Sequence, residues 1–347
     1  MGMSKSSMQR EYTNIFDRVV SPENLFAAWR EFRRGKAQRK DVLEFEWKLE
    51  EQLLSLHRAL ASGTYRHDPY ADFTIRDPKQ RRIHKATVRD RIVHHAIFSV
   101  LNPIFEPAFI AHSYSCRVGK GTHRAVDTLE RMLRNTSRNH TRPCFALKCD
   151  IHKFFASVDH GMLLNFFGNR IKDERAMALL QEIVGSFHTA PGKGIPIGNL
   201  TSQLFANVYL HELDWFIKHK LRIKHYIRYT DDFVAVAEDE AVLRDLLPPV
   251  RLFLHDCLRL QLHPRKVTVR KYRQGIDFLG YVVLPHHRVL RTRTKRRMFR
   301  KMREKAEQCE RGIILRESME QSLQSYLGVL SHANAFRLSQ DLRNVFQ

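Results

Sequence analysis

Two carboxylates stand side by side in the most strand-like stretch of this chain. In HYIRYTDDFVAVAED, arms rich in aromatic and apolar residues at 226–229 and 233–236 flank Asp231 and Asp232. That pattern predicts a hairpin with the acidic pair at its turn. A third carboxylate, Asp150, ends a segment in which Phe145, Leu147 and Cys149 alternate, so it closes another strand. Ionised carboxylates in apolar surroundings are costly unless they are paired or bind metal. Adjacent like charges also repel. The turn neighbours are Tyr229, Thr230, Phe233 and Val234, with no Lys or Arg beside the pair. A divalent cation is the natural way to hold it ionised; an ion pair drawn from elsewhere in a cationic chain is the plainer alternative. Oxygen-only ligands completed by substrate phosphates describe magnesium. Two such ions, one on an attacking hydroxyl and one on a leaving phosphate, describe nucleotidyl transfer.

The charge balance points to a matching substrate. Lys and Arg number 59 against 37 Asp and Glu, a net charge of +22 with a pI near 10.1. A polyanionic partner, nucleic acid first, explains such an excess; a merely soluble basic protein is the bland alternative. No apolar run approaches the roughly 18 residues that span a bilayer. The first 20 residues lack the apolar centre of a signal peptide, and Gly2 has no convincing lipidation context. Cys116, Cys144, Cys149, Cys257 and Cys309 are odd in number and irregular in spacing, which fits free thiols in a reducing, cytoplasmic compartment. The 19 histidines include doublets at 94–95 and 286–287, neither with the spacing of a metal-binding helix. A length of 347 residues suggests two or three packed subdomains, and 43% hydrophobic content excludes a disordered or collagen-like chain.

Along the chain, Val42, Phe45, Leu49, Leu53, Leu56 and Leu60 mark one face of a helix that stops near Gly63. The segment before it, 30–40, carries six positive charges and one negative. Residues 64–90 read as a hairpin with a turn at Asp77-Pro78 and basic residues at its tip. An amphipathic helix follows through Ile92, Val93, Ala96, Ile97, Val100 and Leu101, interrupted at Asn102-Pro103. Gly119-Lys120-Gly121 opens a helix over about 122–134, but it lacks the spacing of a phosphate-binding P-loop, which excludes an ATPase on this motif. A helix begins near Asp159, and 278–284 reads as a further hairpin strand. From 285 to 311 there are 11 Lys or Arg and three Glu, with Met298, Phe299 and Met302 interleaved. A basic helix with an apolar face fits a surface that lies along a nucleic-acid backbone.

The order of these motifs resembles that of reverse transcriptases, the right-hand-shaped polymerases. Tyr229-Thr230-Asp231-Asp232 is similar to the family's Tyr-x-Asp-Asp turn, and the segment from Asp150 to Asp159 to its first palm motif. RDRIVHHA, SYSCRVGKGTHRAV, GIPIGNLTSQLFANVYL, HPRKVTV and FLGYVV follow the family order, so the resemblance covers about 65–340. It implies an α+β right-hand fold: an N-terminal helical extension (1–62), fingers (63–149, with a part near 180–196), a palm with helices on one face of an antiparallel sheet (150–284), and a basic helical thumb (285–347). It implies two magnesium ions on Asp150, Asp231, Asp232 and the Ile151 backbone, and deoxynucleoside triphosphates as substrates. Phe155 matches the steric gate against a ribose 2′-hydroxyl. Arg81, Lys85 and Arg91 match residues that grip the triphosphate. Lys266 matches a lysine that protonates the leaving pyrophosphate, and Phe278, Leu279 and Gly280 match the primer grip. Arg293, Arg296, Arg297 and Arg300 fall in the run that contacts nucleic acid.

Within the family, Ile197-Gly198 replaces the usual Gln-Gly, and Ile-Gly-x-x-x-Ser-Gln resembles the diversity-generating retroelement branch. That branch copies a template-repeat RNA with errors opposite adenine, rewrites a variable repeat, and works with a small basic oligomeric accessory protein. It belongs to bacteria, archaea and phages. The length leaves no room for a maturase, RNase H or endonuclease domain. Retron or group II intron-type enzymes without adenine-specific errors are the alternative. Outside the class, a structural RNA-binding pseudo-enzyme is disfavoured by the intact aspartates, and an RNA chaperone with incidental aspartates would act equally in EDTA.

Overall fold

Nine strands form three antiparallel sheets in the computed structural model, which describes residues 11–77 and 80–345. Strands β1 (Ala71–Ile75) and β2 (Arg81–Lys85) form a hairpin. Strands β3 (Phe145–Asp150), β4 (His225–Tyr229), β5 (Asp232–Ala237) and β6 (Thr268–Lys271) form the central sheet in the order β4-β5-β3-β6. Strands β7 (Ile276–Phe278), β8 (Tyr281–Val283) and β9 (Arg288–Leu290) form the third. Gly2 and Pro78 lie outside the described residues.

The central sheet is covered on both faces, not one. β5 reads DFVAVA, and its four middle residues are buried. A strand apolar on both faces requires cover on both. Leu147, Cys149, Phe233 and Ala235 pack with helices Val88–Phe105, Leu200–Trp215 and Leu247–Leu258. Ala146, Ile227, Val234 and Val236 pack against Ala125, Val126 and Leu129 of helix Thr122–Thr136 and against the third sheet.

Other expectations shift for local reasons. The stripe from Val42 to Leu60 is two helices, Lys40–Glu46 and Leu49–Ala61, broken at Trp47 and Lys48. The break leaves Trp47 88% exposed while Val42, Leu53, Leu56 and Leu60 stay buried. Helix Val88–Phe105 runs through Pro103 without interruption. Proline there removes a single backbone bond two residues from the helix end, where the loss is small. Segment 278–284 is a hairpin in itself. Leu279 and Gly280 take φ +50° and +92°, the left-handed pair that a two-residue β-turn favours. The basic helix starts at Thr292, because Arg288–Leu290 is used as β9.

Asp90, fully buried at the start of helix Val88–Phe105, accepts hydrogen bonds from Tyr65 (2.7 Å), Thr87 (2.6 Å) and the Asp68 amide (3.2 Å). This ties the hairpin's root to the helical body. Asp77, near the tip, pairs with Lys301 Nζ at 2.5 Å and lies 3.8 Å from Arg300, so the hairpin reaches the basic helix Thr292–Glu310. Helix Leu200–Trp215 delivers Asp214 beneath β4, where its carboxylate receives Arg228 Nε at 2.7 Å and Nη2 at 2.6 Å, both residues fully buried. Asp214→Asn leaves that guanidinium buried without its counter-charge. The expected loss is about 3–5 kcal/mol, read as a lowered urea midpoint; a loss below about 1 kcal/mol contradicts the role assigned to the pair.

Candidate active site

The hairpin β4–β5 is closed by the pair Tyr229 and Asp232, leaving Thr230 and Asp231 as a two-residue turn. Thr230 has φ +52°, a conformation that a β-branched residue rarely adopts. Two bonds hold it there. Its hydroxyl donates to Ser115 Oγ at 2.6 Å, and its carbonyl accepts from Arg228 Nη1 at 3.1 Å. Ser115 is fixed in turn by Asn207, which donates to its carbonyl at 3.0 Å.

On the neighbouring strand, Asp150 is the register partner of Asp232. The Ile151 amide donates to the Asp231 carbonyl at 3.1 Å, and the His263 amide to the Asp150 carbonyl at 2.7 Å. Antiparallel pairing thus brings residues some 80 positions apart to one end of the sheet. Lys266 Nζ donates to Asp150 Oδ2 at 2.7 Å. Burial, and then the neighbouring charge of Asp232, push the Asp231 carboxyl up to about 6. Burial also raises Asp232, against the opposing pull of Lys148.

Among the described residues, no group of three or more His, Cys, Asp or Glu side chains is arranged so that it could hold a metal ion. Lys266, not a further carboxylate, stands against Asp150. The donor chemistry still fits a hard divalent cation. Asp150, Asp231 and Asp232 offer oxygen only, and burial, with repulsion among the carboxylates, raises Asp231 and Asp232 despite Lys148 and Lys266.

The other expected residues divide into groups. Phe154 is core, 1% exposed, whereas Phe155 is half-buried and its ring lies 5.3 Å from that of Phe154. The Ile197 carbonyl accepts from the His84 amide of β2 at 3.4 Å. Gly198 has φ +116°, and a Cβ there would meet Ile83 at 3.1 Å. Arg81 is exposed on β2. Lys85 and Arg91 both pair with Asp41, at 2.8 and 2.7 Å, and Arg91 lies over the Phe32 ring, so these two face the N-terminal helices. Phe278 is buried, while Leu279 and Gly280 line a cavity of about 390 Å³ with Arg293 and Arg297 of the basic helix. Arg296 and Arg300 line a second hollow on that helix, beside Phe299.

Arg228, Asp214 and Ser115 escaped the sequence reading. A charged residue at an inward position of HYIRY was the available signal, but its partner lies 14 residues earlier on a helix.

The family model for reverse transcriptase (RNA-dependent DNA polymerase) matches residues 75–283, more than half of the chain. The chain belongs to the reverse transcriptase family. Among curated relatives it is similar to protein YkfC of Escherichia coli K12, 27% identical over 284 residues, covering 70% of this chain and 72% of that one. It is also similar to the group II intron-encoded protein LtrA of Lactococcus lactis, 22% identical over 353 residues, covering 80% of this chain and 58% of LtrA. An uncharacterized 91 kDa protein in a cob intron of Schizosaccharomyces pombe is 30% identical over 137 residues, covering 38% of this chain and 16% of that protein. The observed mixture of helices and antiparallel sheets is consistent with a reverse-transcriptase fold.

The raised Asp231 carboxyl has a stability consequence. An unfolded aspartate titrates near 3.9, so from about pH 4 to 6 the native chain keeps a proton that the unfolded chain releases. Stability therefore falls as pH rises through that window and stays lower above it. Asp231→Asn removes the effect. In EDTA at pH 7.5 the variant is expected to be more stable than wild type by up to roughly 3 kcal/mol, with no gain at pH 3.5. Thermal unfolding at both pH values checks this; a variant less stable at pH 7.5 contradicts it.

Proposed function

We propose that this chain is an RNA-directed DNA polymerase that extends a primer on an RNA template from deoxynucleoside triphosphates. The carrying observation is the meeting of Asp150, Asp231 and Asp232 at one end of the central sheet, on a turn held by buried groups. Asp150, Asp231 and Asp232, with the Ile151 backbone carbonyl, would hold two magnesium ions. When bound, those ions activate the primer hydroxyl and stabilise charge on the leaving phosphate. Lys266, which donates to Asp150, would give a proton to the leaving pyrophosphate. Phe155 is the half-exposed member of its pair and takes the gate role beside the sugar. Arg81 is the basic group of β2 without a partner among the described residues and takes the triphosphate, while Lys85 and Arg91 would have to leave Asp41 to join it. Phe278, Leu279 and Gly280 form the primer grip. In this reading 63–149 are fingers, 150–284 palm and 285–347 thumb, with 1–62 a helical extension. No helix among the described residues is long and apolar enough to cross a membrane.

Asp231→Asn is expected to abolish primer extension while RNA binding persists, since charge is lost at nearly constant volume. Synthesis retained above a few per cent contradicts the proposal. Phe155→Ala should admit ribonucleotides, and unchanged discrimination would remove Phe155 from the gate role.

The named relatives favour a group II intron-type enzyme without adenine-specific errors, since LtrA and the cob intron protein are intron-encoded. A second reading, the diversity-generating branch with its basic accessory protein, rests on Ile197. The side chain offers no hydrogen bond where glutamine would, and one such contact is worth about 0.5–1.5 kcal/mol, up to about tenfold in selectivity. The error spectrum of cDNA copied from one defined RNA separates the two. Errors concentrated opposite adenine, and reduced there by Ile197→Gln, support the second reading; low, evenly spread errors leave the intron-type reading.

A further inference from the structure

The face of the central sheet that carries Asp150 and Asp232 also carries Lys148, two residues before Asp150 on β3. Its register neighbour on β6 is Thr268, and Arg270 stands opposite Ala146. Helix Thr122–Thr136 meets this end of the face on its β4 side, where the Thr122 hydroxyl donates to the Tyr229 hydroxyl at 3.3 Å, and leaves the β6 side to other elements. There a cleft of about 220 Å³ opens between β3, β6 and β7, lined by Lys148, Lys266, Thr268, Arg270, Ile276 and Asp277. Its one carboxylate, Asp277, is already held by Arg291 Nε at 2.8 Å. Lys266 is held by Asp150. Among the described residues, the side chains of Lys148 and Arg270 make no hydrogen bond or ion pair.

Edge strands carry lysine to discourage pairing with other sheets, and Lys271 of β6 can serve that purpose. Lys148 cannot, because β3 is an interior strand with β5 on one side and β6 on the other. Lys148 already acts on Asp232 of the same face, but with Arg270 and Lys266 on one cleft the positive charge exceeds what that carboxylate offsets, and an anion would relieve the excess. The cleft is smaller than the roughly 300 Å³ at which pockets begin to hold drug-sized molecules. It suits a compact anion and has no room for a whole nucleotide.

We infer that Lys148 and Arg270, with Lys266 and Thr268, form a phosphate-binding cleft beside the carboxylates. Two sources share this chemistry: the pyrophosphate released by the reaction, and a backbone phosphate of the bound nucleic acid. Binding of the anion is independent of the polymerase reading; its assignment to either source rests on that reading.

The test uses the full chain in EDTA, with Lys148→Gln and Arg270→Gln made separately. Arg58→Gln, on helix Leu49–Ala61 and outside the cleft, reports the effect of net charge alone. Inorganic pyrophosphate binding is measured by calorimetry, and binding of an RNA–DNA primer–template by its salt dependence. A loss of about tenfold or more in pyrophosphate affinity in both cleft variants, absent in Arg58→Gln, assigns the cleft to pyrophosphate. Unchanged pyrophosphate binding with a salt slope lowered by about one per variant assigns it to a backbone phosphate. Both measurements unchanged, or equal losses in Arg58→Gln, overturn the inference. Pyrophosphate binding by a chain that fails to extend primers would leave the cleft standing and reject the polymerase reading.

Discussion

The buried pair of Arg228 and Asp214 sets the geometry on which the carboxylates depend. It joins segments far apart in sequence: helix Leu200–Trp215 supplies Asp214, β4 supplies Arg228, and the loop at 113–115 supplies Ser113, whose hydroxyl accepts from Arg228 at 3.1 Å. Tyr226 adds a hydrogen bond to Asp214 at 2.8 Å. Two buried charges repay their desolvation only when geometry is good and the remaining donors and acceptors are satisfied. Both conditions hold. Apolar residues of the same volume would serve packing as well, but they could not reach the Thr230 carbonyl. The pair therefore fixes where the turn stands, in a left-handed conformation that threonine would otherwise leave.

The third sheet and the basic helix close the site from the other side. The Gly280 carbonyl accepts from the Arg291 amide at 2.9 Å, immediately before helix Thr292–Glu310. The same helix meets the β1–β2 hairpin through Asp77 and Lys301. Side chains of that contact remain partly exposed, so it is worth little and weakens with salt.

Much of this was legible from residue pattern, because the site is built on short-range signals. Alternation placed β3 with Asp150 at its end, and the Tyr-x-Asp-Asp spacing placed the turn. Asp159 caps helix His160–Gly168 by accepting from the Met162 amide at 3.0 Å, as its position ahead of an apolar run implied. What escaped depended on tertiary context. Pro103 is a local exception: it stands two residues from its helix end, where the rule that proline interrupts a helix has little force. One apolar stripe from Val42 to Leu60 hid a break, since three- and four-residue steps continue in register across a two-residue interruption. Cover on the second sheet face was implicit in the unbroken apolar run of β5, yet the helix supplying it lies a hundred residues earlier. Arg228 escaped because its partner, Asp214, comes from a helix and not from the strand pattern around it.

The two cations that touch the acidic end of the sheet differ in kind, and the difference follows from what each must do. Arg228 is fully buried and bidentate on Asp214, and a planar fork bonded at both prongs is difficult to displace. Lys266 is a point charge on a flexible stem, 39% exposed at its side chain, with one contact to Asp150. A lysine so placed lowers the repulsion among three aspartates and can swing away when another cation takes its place. The permanent counter-charge thus supports the backbone of the turn, and the exchangeable one stands on a carboxylate oxygen. With the roles reversed, the turn would lose its fixed support and Asp150 would be locked in a bond that excludes a metal.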